Sequence, residues 1–251
     1  MIEEINGITN EYEFVRYLNN NKVCKLNPIF EELINNLYNN PNEKLLIKCW
    51  KNKYKQKTDI YIKINNITKR ISIKKGIKNS VHTERISDFI HFLIENKIRK
   101  DIVLEYLKYH YADGSTNGKG NKRISVEEYK KHNQEKIDII NQEFNKEDIL
   151  EKAIDRFVLK GKNSFYSIDA IIYGTINNFI WITKNDIKQI ILSKKDEYST
   201  AVHFGPLTCQ PKNRCLNYNN KYENDRYCVQ LKWYNLECDI IEQMNNKVKN
   251  I

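Results

Sequence analysis

The sequence predicts an α/β protein whose core runs helix, three strands, helix, with further helices flanking it. Amphipathic helical segments stand before and after a strand-rich stretch at residues 44 to 74. Inside that stretch isoleucines alternate with polar residues at the two-residue period of half-buried strands. The chain has 251 residues, 40% of them hydrophobic, enough for one large or two small domains with a real core.

The first helix is ITNEYEFVRYLNN, which opens on Thr9 or Asn10 as cap and sets Tyr12, Phe14, Val15 and Leu18 at helical spacing. In NPIFEELINNLYNN, Pro28 suits a first turn and Ile29, Phe30, Leu33, Ile34 and Leu37 form one stripe. KLLIKCW, residues 44 to 50, reads as a buried strand, and the hairpin TDIYIKINNITKRISIKKG supplies two more. After a basic loop, TERISDFIHFLIENK is an amphipathic helix with Thr83 as cap and Ile86, Phe89, Ile90, Leu93 and Ile94 inward. Helices follow at about 98–110, 125–142 and 146–159, the first two separated by the basic loop ADGSTNGKGNKR. The final third reads as a strand pair, AIIYG and FIWIT, a helix near 184–193, and the strands AVHFGPL and CVQLKWY. No repeat or Pro/Gly-rich linker marks a boundary, so the expectation is one compact domain over 1–251, with its core at 9–95 and a helical and mixed region at 96–251.

The formal net charge of +10 favours a polyanionic partner, either nucleic acid or an anionic membrane surface. Heavy use of Asn, Ile, Lys and Tyr also points to an AT-biased coding sequence, which raises Lys content regardless of function. No apolar run approaches the roughly 18 residues of a membrane span, and MIEEINGITNEYEF is acidic where a signal peptide is basic and then apolar. A cytoplasmic protein is expected, with its six cysteines reduced. Cys209, Cys215, Cys228 and Cys238 cluster without the close Cys pair of a zinc knuckle, so they are read as buried or incidental thiols.

The hairpin separates two kinds of side chain. Ile60, Ile62, Ile64, Ile71 and Ile73 point one way; Asp59, Tyr61, Lys63, Ser72 and Lys74 point the other. A two-residue turn at Asn65 and Asn66 sets Ile60 opposite Ile71 and Asp59 opposite Ser72, whereas a loop longer by two sets Asp59 opposite Lys74. Either register gathers Asp59, Ser72 and Lys74 on one face. Mg²⁺ takes only one or two carboxylates while phosphate and water complete its shell, and a neighbouring Lys orients the attacking water and offsets charge on the phosphorus oxygens. Such a face suits phosphodiester cleavage; it also suits an ordinary solvated strand face.

Asp59 on one strand and Ser72-Ile73-Lys74 on the next, within a helix, three strands, helix order, resemble the PD-(D/E)xK nuclease superfamily and its type II restriction endonucleases. The resemblance covers about residues 9 to 95 and implies a restriction-endonuclease-like mixed sheet, Mg²⁺, a double-stranded DNA substrate and a homodimer, since paired cuts in a palindrome are most simply made by two-fold related subunits. Thr58 stands where the family has Pro, and Ser72 where it has an acid. The resemblance implies Asp59 as metal ligand, Lys74 as the water-positioning residue, Glu84 on the following helix as the migrated second ligand, and Glu11, with Glu13 behind it, as a supporting carboxylate from the first helix. Lys75 is the rival to Lys74, but alternation sends it to the isoleucine face or to the strand end.

A second set concerns recognition. The segment 201–235 is rich in side chains that read base edges, and Gln210, Lys212, Arg214 and Asn217 are its candidates, with Arg226 as a backbone contact. Lys119, in a loop that fails the Walker pattern, belongs either to a solvated loop or to a DNA backbone clamp. His82 either assists at phosphate or packs locally. Two rival readings remain: a basic DNA-binding module whose hairpin is only structural, and a nuclease acting on RNA or structured DNA.

Overall fold

The computed structural model describes residues 7–77, 79–162, 164–212 and 220–249. In chain order its elements are α1 (Gly7–Leu18), α2 (Pro28–Tyr38), β1 (Ile47–Lys51), β2 (Ile60–Ile64), β3 (Ile67–Lys74), β4 (Asn79–Arg85), α3 (Ile86–Glu95), α4 (Lys100–Tyr111), α5 (Val126–Phe144) and α6 (Glu147–Ala153), which runs on as a π-helix over Ile154–Lys160. Then come β5 (Ala170–Thr175), β6 (Asn178–Thr183), α7 (Lys184–Ser193), β7 (His203–Phe204), β8 (Leu207–Pro211), a 3₁₀ turn over Asn220–Tyr227, β9 (Cys228–Trp233) and α8 (Leu236–Lys249). The chain divides into two compact units. One takes the residues up to Asn79, Val158–Ile190 and those from Asn235 onward; the other takes Ser80–Phe157 and Ile191–Tyr234. Among the described residues no helix is long and apolar enough to cross a membrane.

The first unit is built on a five-stranded mixed sheet in the order β1-β2-β3-β5-β6. The pairs β1–β2, β2–β3 and β5–β6 are antiparallel, and β3–β5 is parallel. The isoleucine alternation does what the sequence predicts: Ile60, Ile62, Ile64 and Ile71 are buried against α1 and α2 in a core that also holds Phe14, Leu18, Phe30, Leu33, Ile34, Ile47, Ile172 and Trp181. Burying each such side chain contributes roughly 1.5–3 kcal/mol, so the helices clamp one face of the sheet. Asn27 caps α2 by accepting the Phe30 N–H at 2.9 Å, and Pro28 takes the position where a missing N–H costs nothing. The opposite face carries the polar set. Beside it, α8 packs on β6 and buries Leu236 and Ile240.

The second unit holds a sheet in the order β4-β9-β8-β7 with α3 to α6 around an aromatic core of Phe89, Tyr106, Phe144, Phe157 and Phe204. Here a correction is due. The stretch expected to be loop and first helical turn, ending in Thr83 and Glu84, is strand β4, and α3 starts only at Ile86 after an extended Arg85. The buried stripe of α3 is Ile86, Phe89, Phe92 and Leu93, with Ile94 exposed against expectation, while Val81 and Thr83 are β-branched and gain a partner strand in β9, far away in sequence. α8 had no counterpart in the sequence reading.

Candidate active site

Asn65 at φ +51° forms a two-residue turn, and the pairs Ile64↔Ile67 and Ile60↔Ile71 select the shorter of the two registers. The ladder reaches one residue further, since the Asp59 N–H donates to the Ile71 carbonyl at 2.8 Å. On the other side, the Asn52 N–H donates to the Asp59 carbonyl at 2.8 Å and the Asn52 side chain holds the Thr58 carbonyl at 2.9 Å. The backbone of Asp59 is therefore held from two directions before its side chain makes any contact.

Asp59 Oδ2 accepts the Ile73 N–H at 2.6 Å and the Ser72 hydroxyl at 3.0 Å, and Lys74 Nζ stands 3.6 Å away. Lys74 Nζ also donates to the Ile73 carbonyl at 3.3 Å. Ser72 is buried, but the Asp59 and Lys74 side chains keep 20% and 23% of their surface exposed, so both are within reach of a substrate. The Ser72 hydroxyl thus orients Asp59 where the resembled motif has a second acid.

A divalent ion of the Mg²⁺ kind fits this donor set in part. Asp59 is a hard oxygen donor whose named contacts all fall on Oδ2, and Mg²⁺ keeps several waters while using one or two carboxylates. Among the described residues no three His, Cys, Asp or Glu side chains come together as a metal-binding group. Asp59 would be the carboxylate offered to such an ion, with water supplying other oxygens.

The remaining expected site residues have partners of their own. Glu11 pairs with Lys51 Nζ at 2.7 Å. Lys51 stands opposite Ile60, so it projects from the isoleucine face, away from the face of Asp59. Glu84, on β4 of the second unit, is buried and gives its Oε2 to Arg156 Nη2 at 2.7 Å and to His82 Nε2 at 3.3 Å. His82 itself is buried with its ring 5.2 Å from that of Phe157, the local packing role.

The recognition candidates that can be described also lie in the second unit. Gln210 is buried on β8, accepts the Tyr234 hydroxyl at 3.0 Å and lines a cleft of about 230 Å³ with Tyr109, Tyr129 and Thr208. Lys212 pairs with Asp225 at 2.9 Å, which raises its pKa. Arg226 is tied to Asp113 at 2.9 Å while its carbonyl meets His110 Nε2 at 2.8 Å. Lys119 is exposed on a loop organised by Asp113, whose carboxylate accepts the Ser115 N–H, the Ser115 hydroxyl and the Gly120 N–H. A Cβ at Gly120 would collide with the Asp113 carbonyl, which explains the glycine. Arg214 and Asn217, with Cys215, lie outside the described residues. Cys209 is buried, Cys228 half-buried and Cys238 exposed.

Two groups escaped the sequence reading. Arg156, the partner of Glu84, lies in the stretch expected as a helix to 159, which continues from Ile154 as a π-helix. Tyr173 stands opposite Lys74 across β3–β5, and its hydroxyl lies 2.9 Å from the Gly76 carbonyl and 3.0 Å from Glu237 Oε2 at the start of α8. Burial, reinforced by Glu237, pushes the Tyr173 phenol up to about 12. The apolar periodicity of LECDIIEQM was the available signal for α8.

Two comparisons find nothing: no protein-family profile and no curated protein matches the sequence. Among solved structures, the restriction endonuclease MspI in complex with its cognate DNA is similar over 92% of this chain and 93% of its own, with a TM-score of 0.59 and 13% identity. At that identity the likeness shows a fold, the mixed α/β restriction-endonuclease-like fold.

Proposed function

From a restriction-endonuclease-like fold carrying Asp59, Ser72 and Lys74 on one open face, we propose that this chain is a Mg²⁺-dependent endonuclease that hydrolyses phosphodiester bonds in double-stranded DNA at specific sites, acting as a homodimer. The observation that carries the reading is the convergence of the Ile73 N–H, the Ser72 hydroxyl and Lys74 Nζ on one oxygen of Asp59. A strand face that was merely solvated has no need to clamp a carboxylate from the next strand in this way.

In the reaction, water oxygen bonds to phosphorus as one ester oxygen leaves and takes up a proton. Asp59 would hold Mg²⁺, which when bound polarises the phosphate and lowers the pKa of its water. Lys74 holds the attacking water by a hydrogen bond and offsets charge building on the phosphorus oxygens. The Ser72 hydroxyl keeps Asp59 in one rotamer. Glu84 would reach a metal only by leaving Arg156, and Glu11 only by leaving Lys51, so the proposal places its weight on Asp59 and Lys74. Recognition is assigned to the second unit, where Lys119 is exposed and Gln210 lines a cleft, with Arg214 and Asn217 as further candidates.

The test is to incubate the protein with a large mixed-sequence DNA in Mg²⁺ and in chelator. Discrete fragments in Mg²⁺ alone are expected. A smear removes the site specificity, and intact DNA in both leaves a binding module. Lys74→Ala is expected to abolish cutting while DNA binding stays close to wild type; wild-type rates in that variant refute the assignment.

A further inference from the structure

The open face around Asp59 extends well beyond the three residues used above. Cross-strand register sets Trp50 opposite Tyr61, Lys48 opposite Lys63, and Tyr61 opposite Arg70. Alternation brings all of these to the face of Asp59, Ser72 and Lys74. The Trp50 and Tyr61 rings are stacked, 5.3 Å apart and 19° from parallel, and Trp50 on edge strand β1 is 41% exposed. The Arg70 guanidinium lies 4.2 Å over the ring of Tyr166, itself exposed.

We propose that this face binds a nucleic-acid strand, with the Trp50–Tyr61 stack receiving an unpaired base beside the phosphate at Asp59 and with Lys48, Lys63 and Arg70 meeting the sugar-phosphate backbone. The proposal rests on the nuclease reading and names the form its substrate takes at the site. Charge complementarity argues for the occupant: along β1 to β3 the face carries Lys48, Lys63, Arg70 and Lys74 against the single acid Asp59. Among the described residues none of Lys48, Lys63 and Arg70 forms an ion pair. A cross-strand aromatic pair stabilises a sheet, but that role does not call for an open indole face amid unmatched cations. Every base offers a π-face to such a ring, and phosphates recruit the cations.

Spacing assigns the base. Tyr61 and Asp59 are two residues apart on one strand, about 6.7 Å, so a base on the stack belongs to a nucleotide adjoining the phosphate at Asp59. A base buried in an intact duplex cannot reach a ring standing on a sheet. The strand must therefore be single, frayed or opened at that nucleotide.

Trp50 also provides the probe, because the other two tryptophans, Trp181 and Trp233, are buried at 5% and 0% exposure. The full chain is titrated in chelator, so that DNA stays intact, with a short labelled mixed-sequence oligonucleotide, single-stranded and as its paired duplex. Anisotropy reads binding and tryptophan emission reads the stack. Quenching on saturation with single strand is expected, lost in Trp50→Phe although anisotropy still reports binding. Trp50→Ala is expected to weaken single-strand binding about 5- to 150-fold, the value of one base stacked on an aromatic ring, with a smaller effect on the duplex. Saturation without quenching, quenching that survives in Trp50→Phe, equal losses for both DNA forms, or no single-strand binding overturns the proposal. If the wild type nonetheless cuts DNA in Mg²⁺, only the stacking surface is lost; quenching at Trp50 with no cleavage removes the nuclease reading and leaves the surface.

Discussion

Asp59→Asn separates the structural duty of this residue from its chemical one. The asparagine oxygen still accepts the Ile73 N–H, so the clamp between β2 and β3 survives in neutral form. Exchanging a charged for a neutral acceptor removes about 1 kcal/mol. The partly exposed Lys74 pair, at 3.6 Å, adds about 0–1 kcal/mol. Folding stability is therefore expected to fall by about 1–2 kcal/mol, leaving a folded protein. Asp59→Ala strands both the Ile73 N–H and the buried Ser72 hydroxyl and costs about 1–3 kcal/mol more. Cleavage responds on another scale under the proposed reading: losing the carboxylate proposed to hold Mg²⁺ removes several kcal/mol of transition-state stabilisation, about 10³-fold in rate or more. Single-turnover cleavage of duplex DNA in Mg²⁺, with denaturant melts of both variants in parallel, reads both quantities. Asp59→Asn that cuts within about tenfold of wild type refutes the catalytic reasoning. Asp59→Asn as unstable as Asp59→Ala refutes the account of the clamp.

Two further outcomes follow from the second unit. Arg156→Met leaves the buried Glu84 carboxylate without its 2.7 Å partner and is expected to cost about 3–5 kcal/mol in a melt; adding Glu84→Gln should recover much of it, and no recovery means the pair was never coupled. His110 is buried and its pKa is lowered by desolvation to about 4 from an ordinary 6.5. The folded state thus favours neutral imidazole, so the unfolded chain binds the extra proton between those values and stability is lost as pH falls from about 6.5 toward 4, by an amount on the order of 3 kcal/mol. His110→Gln, which can still donate to the Arg226 carbonyl, should flatten that part of the melting-temperature profile; an unchanged slope places the proton elsewhere.

Much of the hairpin was legible because its information is local. Alternation over a few residues decides which side chains share a face, and an Asn-Asn turn decides the register, so Asp59, Ser72 and Lys74 came together without knowledge of any distant contact. The same locality accounts for α1, α2 and the clamp they form on the isoleucine face. It failed at Glu84. Its strand forms by pairing with β9, whose sequence lies well over a hundred residues on, and a short polar stretch ahead of a strong helix reads as that helix's cap when the partner strand is unseen. Glu11 marks a related limit: helical spacing predicts which residues face a sheet, but not that Lys51 on the edge strand pairs with the carboxylate.

Taken alone, then, the amino-acid sequence determined the α/β class, the three-strand core with its buried isoleucines, and the polar triad of the hairpin, because each follows from side-chain periodicity within one element. Only the tertiary structure decided that the chain divides into two units, that Arg156 binds Glu84, that Tyr173 and Glu237 meet beside β3, and that Trp50 and Tyr61 stack on an open cationic face. These depend on strand order, interstrand register and helix placement, which are settled by packing between segments remote in sequence rather than by the preferences of any one of them.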